Sequence, residues 1–359
     1  MSGPLHRWLC YLLTFCFAIT IIIACYMTYF YEPAVKPQPA SVTSPIDTDD
    51  AILTYWGPSA APPKTDPHIY PYLMNEPDAC TRDGDDVRLL VVVTCRVEAW
   101  RQRLAIRRTW GTYARRNDTG VKMIFLIGVR TSSAYVRVRL RKEREQFHDI
   151  VQVDFHDSYR NLSIKSVAML KWAATYCANA TYVLKADDDV FVNIPNLLRA
   201  LDSVKKSKFF LCSGILRMPV VRNKKSKWYV SIAEYVRRLY PDYCSGTAYA
   251  FSTNVAAGLF ARATRTPLFW LEDVFVTGLL RRAQTIALVA HARFERWGHN
   301  DTEPCHFKHR LITAHEIPRR RMEDVWQQLQ QPMNCTQPQK KSPSPVPTAT
   351  SSNSPVGPT

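Results

Sequence analysis

Four continuous apolar runs, separated by segments with helical patterns, constrain the fold of this 359-residue chain most strongly. They cover residues 88–95, 122–128, 150–155 and 182–186. Short runs rich in Val, Ile and Leu are typical of strands that are buried on both faces. Because these strands alternate with helices, they predict an α/β domain with a mostly parallel sheet and helices on both sides.

The intervening and following segments complete this prediction. The segments with helical patterns between the strands are residues 98–116, 132–148 and 162–177. The second half of the domain is mixed, because two strand-like runs are followed by two helical ones. These are the strands at residues 209–216 and 247–252 and the helices at residues 274–282 and 322–330.

The first part of the chain is not globular. Residues 8–31 are almost wholly apolar, which is long enough for a helix that crosses a bilayer. Arg7 precedes this span, so the positive-inside rule predicts a cytosolic tail at residues 1–7 and a translocated remainder. A cleaved signal peptide is the alternative, but the span ends in aromatic residues rather than in small ones. We therefore predict a signal-anchor transmembrane helix.

Two segments of biased composition flank the globular domain. Residues 32–80 are rich in Pro, which opposes regular structure and predicts a semi-rigid stem. Residues 336–359 are rich in Ser, Pro and Thr, which predicts a disordered tail. The globular domain is therefore predicted at residues 81–335, on the luminal side of the membrane.

Sequons and cysteines favour a luminal, oxidising compartment. Seven of the ten cysteines follow the predicted membrane span, and this odd number leaves at least one of them without an intramolecular partner. Five Asn-x-Ser/Thr triplets are candidate N-glycosylation sites in such a compartment. They begin at Asn117, Asn161, Asn179, Asn300 and Asn334.

The formal net charge of +16 raises the possibility of a nucleic-acid partner. The basic residues, however, are scattered through helical segments such as residues 137–144, and a luminal protein rarely meets nucleic acid. We therefore predict no nucleic-acid binding. The charge favours anionic partners such as nucleotide phosphates and membrane surfaces.

Three consecutive carboxylates, Asp187, Asp188 and Asp189, follow the apolar run at residues 182–186 directly. Crowded carboxylates repel one another, and a bound cation removes that penalty. Hard divalent cations prefer carboxylate oxygens and often bridge them to substrate phosphates. Because the chain lacks GxGxxG and GxxxxGK[ST] loops, a metal–diphosphate site here is the functional interpretation. An acidic turn or helix cap is the alternative.

A second acidic pair, Glu272 and Asp273, precedes a predicted helix. Carboxylates at a helix start are often caps or dipole partners, which is the structural interpretation. The functional interpretation is a general base that accepts the proton of an attacking hydroxyl group.

Two further features have both a structural and a functional interpretation. His315 ends an apolar run and is either an ordinary packed residue or a neutral metal ligand. The segment of residues 240–249 combines aromatic residues, including Tyr243, with Gly246. Aromatic faces beside a glycine suit a sugar pocket, and core packing near a turn is the alternative.

Together, these segments resemble the β1,3-glycosyltransferases of glycosyltransferase family 31, from about residue 88 to residue 335. Five motifs occur in the family's order, which makes the resemblance specific. They are Gln102–Gly111, Asp157–Lys165, Lys185–Asn193, Tyr240–Gly246 and Glu272–Gly278. One departure from the family pattern is Thr277, which lengthens the last motif between Asp273 and Gly278.

The resemblance implies a GT-A fold, in which a Rossmann-like nucleotide half is fused to an acceptor half. It also implies Golgi residence, a UDP-sugar donor and Mn²⁺. By the same resemblance, Asp189 and His315 are metal ligands, Asp187 and Asp188 belong to the donor site, and Asp273 is the catalytic base.

The remaining implied residues are assigned more coarsely. Arg103, Arg107 and Trp110 fall in the motif associated with the nucleotide pocket. Tyr243, Gly246 and Glu272 are assigned to the sugar pocket on the acceptor side, and Cys305 and Cys335 match a disulfide pair.

The function that the resemblance implies is an inverting β1,3-galactosyltransferase, which transfers galactose from UDP-galactose to the 3-hydroxyl of a glycoprotein or glycolipid sugar. A β1,3-N-acetylglucosaminyl- or N-acetylgalactosaminyltransferase is the alternative within the family. A luminal glycan-binding protein without catalysis is the alternative from another class.

Overall fold

A computed structural model describes residues 70–81, 86–116, 118–130, 133–298, 304–333 and 335. The predicted cytosolic tail, signal-anchor helix, most of the stem and the C-terminal tail lie outside these residues. No helix within the described ranges is long and apolar enough to cross a membrane.

The main sheet has eight strands in the order β1-β4-β3-β2-β5-β8-β7-β9. Strands β4, β3, β2 and β5 run parallel, whereas β1 and β8 run antiparallel to their neighbours. The predicted α/β class and its parallel strands are confirmed. The strands are β1 (Tyr72–Met74), β2 (Leu89–Thr94), β3 (Val121–Val129), β4 (Ile150–His156), β5 (Tyr182–Asp187), β7 (Phe209–Cys212), β8 (Ala248–Ser252) and β9 (Ala287–Ala290).

Helices cover both faces of this sheet. Alternate residues of β2 enter two separate hydrophobic cores, with Leu90 and Val92 in one and Val91 and Val93 in the other. A strand that is buried on both faces needs apolar side chains at every position, which explains the unbroken run in the sequence. The α-helices are α1 (Trp100–Arg108), α2 (Ala134–Phe147), α3 (Leu162–Tyr176), α4 (Ile194–Asp202), α5 (Ala256–Ala263), α6 (Pro304–His309) and α7 (Arg319–Leu329).

The helix predicted at residues 98–116 is wrong in its second half. The α-helix ends at Arg108, and a 3₁₀-helix covers Trp110–Arg115. The hydroxyl group of Thr109 donates to the carbonyl of Ala105, and its N–H bonds to Ile106, which tightens the turn.

The strand order explains where a ligand can bind. The chain adds β3 and β4 on one side of β2 and then returns to place β5 on the other side. Open α/β sheets bind ligands at the carboxyl ends of strands where the order reverses in this way. Thr94 and Asp187 are register partners at those ends, so the fold places the acidic cluster at the reversal point.

A small second sheet connects the acidic cluster to the end of the domain. Its order is β10-β11-β6, with β6 at Phe191–Val192, β10 at Phe294–Gly298 and β11 at Thr313–His315. Strand β6 follows the cluster and pairs antiparallel with β11. This pairing brings His315 close to Asp189.

The folded domain begins earlier than the boundary predicted at residue 81. Strand β1 pairs with β4, and Cys80 forms a disulfide with Cys177. The last residues of the predicted stem, from Tyr70 onward, are therefore part of the domain. Their aromatic side chains pack on it, because Tyr72 contacts Tyr176.

Three disulfides stabilise the described domain. The pair that the resemblance implies, Cys305 and Cys335, forms one of them, with an S–S distance of 1.99 Å. Cys212 and Cys244 form another and close the irregular segment between them. The chain leaves β7 at this bridge, which is why the predicted strand at residues 209–216 ends at Cys212. Cys95 is a buried free thiol.

A buried ionic network joins α1 to α2 and to the start of β4. Arg103 and Arg107 both bind Glu143 at 2.7 Å, and Arg107 also binds Asp149 at 2.7 Å. Arg103 also donates to the carbonyls of residues 96 and 97, directly after β2. Burial raises the pKa of Glu143, but the two guanidinium groups outweigh it and lower the pKa below its ordinary value.

This network gives Arg103 and Arg107 a structural role in addition to the donor-site role that the resemblance implies. The two arginines are buried and bonded to protein acceptors, and Trp110 is 1% exposed in the core. Arg103 thus supports the loop after β2, and Arg107 joins α1 to α2 and to the start of β4. Donor contact by these residues stays a prediction.

The substitution Arg103→Met should lower the free energy of unfolding by about 3–5 kcal/mol, because it leaves Glu143 buried without one of its cations. The matched control is Arg88→Met, which breaks an ion pair with Asp202 whose side chains are about half exposed. That change should cost less than about 1 kcal/mol. Denaturant unfolding measures both, and equal losses would contradict a structural role for the network.

Candidate active site

A cleft of about 290 Å³ opens at the carboxyl ends of β2 and β5. Both halves of the domain line it. The first half contributes Thr94 and Asp187, and the second contributes Gly246, Glu272 and Asp273. His315 also lines the cleft, although it lies more than 120 positions after the acidic cluster.

Lys185 lies buried between the two acidic regions. Its ammonium group donates to Asp187 Oδ1 at 2.6 Å and to the carbonyl of Gly246. Burial alone lowers the pKa of Lys185, but Asp187, Glu272 and Asp273 outweigh it and raise the pKa above its ordinary value. Lys185 therefore carries a positive charge that offsets the surrounding carboxylates.

The three aspartates of the cluster differ in their surroundings. Asp187 ends β5 and accepts hydrogen bonds from Thr94 and Lys185, so its orientation is fixed. Burial, assisted by the charges of Asp187 and Asp189, raises the pKa of Asp188 to about 6. Burial and the charge of Asp187 also raise the pKa of Asp189.

Asp189 and His315 fit the ligands of a divalent cation. Asp189 Oδ1 is buried without a hydrogen-bond partner among the described residues and lies 3.6 Å from His315 Nε2. His315 Nδ1 lies 3.0 Å from the carbonyl of Arg296, which only accepts, so Nδ1 carries the hydrogen. In the neutral imidazole, Nε2 therefore presents a lone pair toward a carboxylate oxygen. A cation between the two acceptors would satisfy both, and the backbone bond would orient the ring.

The described residues contain no group of three or more His, Cys, Asp or Glu side chains arranged to hold a metal ion. Asp189 and His315 would supply only two ligands to a cation, so a bound molecule and water would have to complete its coordination. Mg²⁺ and chemically similar ions commonly bind in this way.

Glu272 and Asp273 are adjacent but have different environments. Glu272 is buried, and its Oε1 accepts hydrogen bonds from Ser166 at 2.7 Å and Tyr249 at 2.5 Å. Asp273 accepts a bond from the backbone N–H of Val274 at 2.8 Å. Burial and the charge of Glu272 raise the pKa of Asp273 to about 7. A carboxylate with a pKa near neutrality suits proton transfer, whereas Glu272 is held by its donors.

Asp273 begins a π-helix, Val274–Leu280, where an ordinary α-helix was predicted. An i→i+5 bond encloses one residue more than the i→i+4 bond of an α-helix. Thr277, which by the resemblance lengthens this motif, lies inside the π-helix. Its hydroxyl group donates to the carbonyl of Asp273 at 2.6 Å and accepts from the N–H of Cys244 at 2.8 Å. Thr277 thus connects the acidic pair to the segment closed by the Cys212–Cys244 disulfide.

Two residues of the predicted sugar pocket have different positions. A Cβ atom at Gly246 would lie 3.3 Å from Glu272 Oε2, so the glycine allows the backbone to approach the acidic pair. Tyr243 is 7% exposed, packs edge-on against Tyr240 and is not among the residues that line the cleft. Burial raises the pKa of Tyr243, and the charge of Asp273 raises it further, so the hydroxyl group senses the acidic pair. The assignment of Tyr243 to the sugar pocket stays a prediction.

The sequence did not predict that two buried lysines, Lys185 and Lys165, would hold acidic side chains in place. Lys185 was recognised only as part of a motif, although a charged residue inside an apolar strand is itself a signal. Lys165 is also buried, binds Asp157 at 2.8 Å and donates to the carbonyl of Cys95. It ties the ends of β2 and β4 to α3.

Two of the five sequons fall on described residues. Asn179 is exposed, and its side chain donates to the carbonyl of Cys80 at 3.1 Å. Asn161 is partly buried and donates to the carbonyl of His156 at 2.8 Å. The others, Asn117, Asn300 and Asn334, lie outside the described residues, and glycan occupancy stays a prediction.

Comparison with known proteins gives a consistent set of relatives. A family described as Galactosyltransferase matches residues 101–291. Beta-1,3-galactosyltransferase 1 of Mus musculus is 34% identical over 267 residues, which are 73% of this chain and 79% of that protein. Lactosylceramide 1,3-N-acetyl-beta-D-glucosaminyltransferase of Rattus norvegicus is 34% identical over 275 residues, which are 74% of this chain and 71% of that protein.

Solved structures are more distant. The bifunctional glycosyltransferase WbbM has a TM-score of 0.38 at 11% identity and covers 64% of this chain and 46% of its own. The galactosyltransferase LgtC, solved with donor and acceptor sugar analogs, has a TM-score of 0.36 at 13% identity. The match covers 68% of this chain and 97% of the LgtC chain.

The raised pKa of Asp273 predicts a pH-dependent effect on stability. The folded-state pKa of about 7 exceeds the unfolded value of about 3.9, so ionisation of Asp273 destabilises the fold progressively between these pH values. Asp273→Asn should therefore raise the unfolding midpoint of the metal-free protein more at pH 8 than at pH 5. Asp202→Asn, at a half-exposed site, is the control. An equal gain at both pH values would contradict the assignment.

Proposed function

Since this chain belongs to the galactosyltransferase family, within glycosyltransferase family 31, we propose that it is an inverting β1,3-galactosyltransferase. It is a hexosyltransferase that uses a nucleotide-sugar donor and a glycan acceptor. In our proposal, galactose passes from UDP-galactose to the 3-hydroxyl of a glycoprotein or glycolipid sugar. The observation that carries the proposal is that Asp187, the first residue of the acidic cluster, and the pair Glu272–Asp273 line one cleft, with the charged Lys185 buried between them.

We assign the domain to the GT-A fold. The order β4-β3-β2-β5 supports a Rossmann-like nucleotide half, and the antiparallel strand β8 continues the same sheet into the acceptor half. The acidic cluster follows β5 where the two halves join.

The donor side of the cleft would hold a metal and the nucleotide-sugar. Asp189 and His315 would hold Mn²⁺, because their facing acceptor atoms fit a cation. When bound, this ion supplies positive charge that stabilises the diphosphate as it departs. Lys185 and Thr94 hold Asp187 in place for contact with the donor, and Asp188 contributes charge beside it.

The acceptor side of the cleft would carry out the proton transfer. Asp273 accepts the proton of the acceptor 3-hydroxyl group as that oxygen attacks the anomeric carbon. The hydroxyl group attacks from the face opposite the departing UDP, so an α-linked donor gives a β1,3-linked product. Glu272, held by Ser166 and Tyr249, keeps the neighbouring charge that raises the pKa of Asp273.

Transfer of N-acetylglucosamine or N-acetylgalactosamine is the second proposal. It is favoured because the rat N-acetylglucosaminyltransferase and the mouse galactosyltransferase are equally identical to this chain, at 34%. A glycan-binding protein without catalysis would not need Asp273 and His315 at one cleft with Asp189 3.6 Å from His315, so we do not favour that alternative.

We also propose a single-pass type II protein of the Golgi membrane with a luminal catalytic domain. The apolar residues 8–31, the five sequons and the three disulfides support this location. Disulfides persist in oxidising compartments and are rare in the cytosol.

A donor panel tests the transferred sugar. The detergent-solubilised full chain should transfer galactose from UDP-galactose to pooled glycan acceptors in the presence of Mn²⁺, and chelation should abolish transfer. Sugar transfer and UDP release are measured for each donor. Transfer from UDP-N-acetylglucosamine alone would replace the first proposal with the second, and no turnover with any donor would refute both.

Asp273→Asn tests the base. This change should lower kcat by about 10²–10⁴-fold, because no carboxylate accepts the proton, and should leave UDP–Mn²⁺ affinity nearly unchanged. Asp189→Asn should instead weaken UDP–Mn²⁺ binding, and exposed Asp202→Asn should alter neither property. For the wild type, kcat/KM should rise with pH until about pH 7, where Asp273 becomes ionised. A variant that turns over normally but binds UDP weakly would contradict these roles.

A further inference from the structure

Aromatic side chains from three separate segments line the same cleft as the acidic pair. Tyr159 lies in the 3₁₀-helix after β4, and Trp270 lies just before Glu272. Trp228 comes from the middle of the segment between Cys212 and Cys244. No sequence motif predicted that these three rings would meet.

The rings contact one another. The indole N–H of Trp228 donates to the hydroxyl group of Tyr159 at 3.0 Å, which joins the two sides of the cleft mouth. The centroid of the Tyr159 ring lies 6.1 Å from that of Trp270. The guanidinium group of Arg160 lies 3.9 Å from the centroid of Trp270, so this ring contacts both Tyr159 and Arg160.

Two of the three rings are exposed to solvent, and the third is buried. Trp228 is 48% exposed and Tyr159 is 49% exposed, whereas Trp270 is 8% exposed. Large apolar side chains that stay exposed at the mouth of a concave polar site indicate a ligand-binding surface. The buried ring of Trp270 contacts Tyr159 and so supports this surface.

The surface lies on the side of the base. Trp270 is three positions before Asp273, and both line the cleft. Burial raises the pKa of Tyr159, and the charges of Asp273 and Asp187 raise it further. Tyr159 and Trp228 therefore share a cleft with Asp273, and Trp270 connects this surface to Asp273 along the chain.

The segment that carries Trp228 is anchored at its base and irregular along its length. The Cys212–Cys244 disulfide and two isolated β-bridges, Leu216–Tyr243 and Pro219–Leu239, hold its ends together. Near its middle, the bond from Trp228 to Tyr159 and an ion pair of Arg160 with Glu234 at 3.5 Å cross to the first half of the domain. These are weak, exposed contacts, which a ligand could replace.

We propose that Tyr159 and Trp228, supported by Trp270, form an acceptor platform on which a neutral pyranose stacks through its C–H face. The electron-rich faces of aromatic rings attract the C–H groups of a sugar, and the stacked ring presents its 3-hydroxyl to Asp273. This inference rests on the proposed function, because it assigns the acceptor site of that reaction. Tyr159 and Trp228 are positioning residues.

Trp228→Ala tests the platform in the full chain. The acceptor KM should rise about tenfold or more with lactose or methyl β-N-acetylglucosaminide as the acceptor, because the stacking surface is lost. UDP–Mn²⁺ affinity and the KM for the donor sugar should stay within about twofold of the wild-type values. The thermal unfolding midpoint should stay within a few degrees of wild type. Trp228→Phe keeps a ring and should restore the acceptor KM to within about threefold of wild type.

The matched control is Ile232→Ala, because Ile232 lies in the same segment, is 69% exposed and does not line the cleft. It should leave all these quantities unchanged. The platform would be refuted by an unchanged acceptor KM in Trp228→Ala, by loss of UDP affinity instead, or by a Phe variant as impaired as the Ala variant.

A direct binding measurement separates this proposal from the proposed function. Binding of the same two sugars to wild type and Trp228→Ala, with UDP and Mn²⁺ present, is followed by saturation-transfer NMR. Sugar binding that is lost in the Ala variant supports the platform even if the wild type transfers no sugar. Equal binding to both proteins refutes the platform even if transfer occurs.

Discussion

The buried ammonium group of Lys185 is the interaction on which the cleft depends. It neutralises part of the charge of Asp187, Glu272 and Asp273 and donates to the backbone at Gly246. Without a cation at this point, several carboxylates would lie close together in a partly buried space, and their repulsion would oppose folding. One side chain thus lets Asp187 and the pair Glu272–Asp273 share one cleft.

The fold then gives each acidic group a separate environment. Asp187 is fixed by Thr94 at the reversal point of the sheet, and Asp189 faces His315 through the small second sheet. Asp273 directly precedes a π-helix, and burial raises its pKa to about 7. Glu272 instead accepts hydrogen bonds from two hydroxyl groups. Contacts from residues distant in sequence produce most of these differences, because Thr94, His315, Ser166 and Tyr249 each reach only one of the acidic groups.

The sequence predicted best where the local pattern and the tertiary environment agree. The four parallel strands were predicted because burial on both faces requires apolar residues at every position, and the Asp187–Asp189 cluster was conspicuous because it ends such a run. The burial of Arg103 and Tyr243 was not predicted, because an arginine or tyrosine in a motif looks the same whether it binds a ligand or supports a core. The predicted start of the domain at residue 81 lies after β1. This strand was not predicted because it is short and pairs with β4, which is distant in sequence.

By itself, the sequence determined the α/β class, the order of strands and helices, the family resemblance and the acidic residues on which the proposed chemistry depends. Only the tertiary structure decided which of these residues meet. It brought His315 to Asp189, placed Lys185 between the two acidic regions and joined Trp228 to Tyr159. The physical reason is that composition and periodicity are local properties of the chain. A binding cleft instead depends on distances between segments, which strand pairing, disulfides and buried ion pairs establish together.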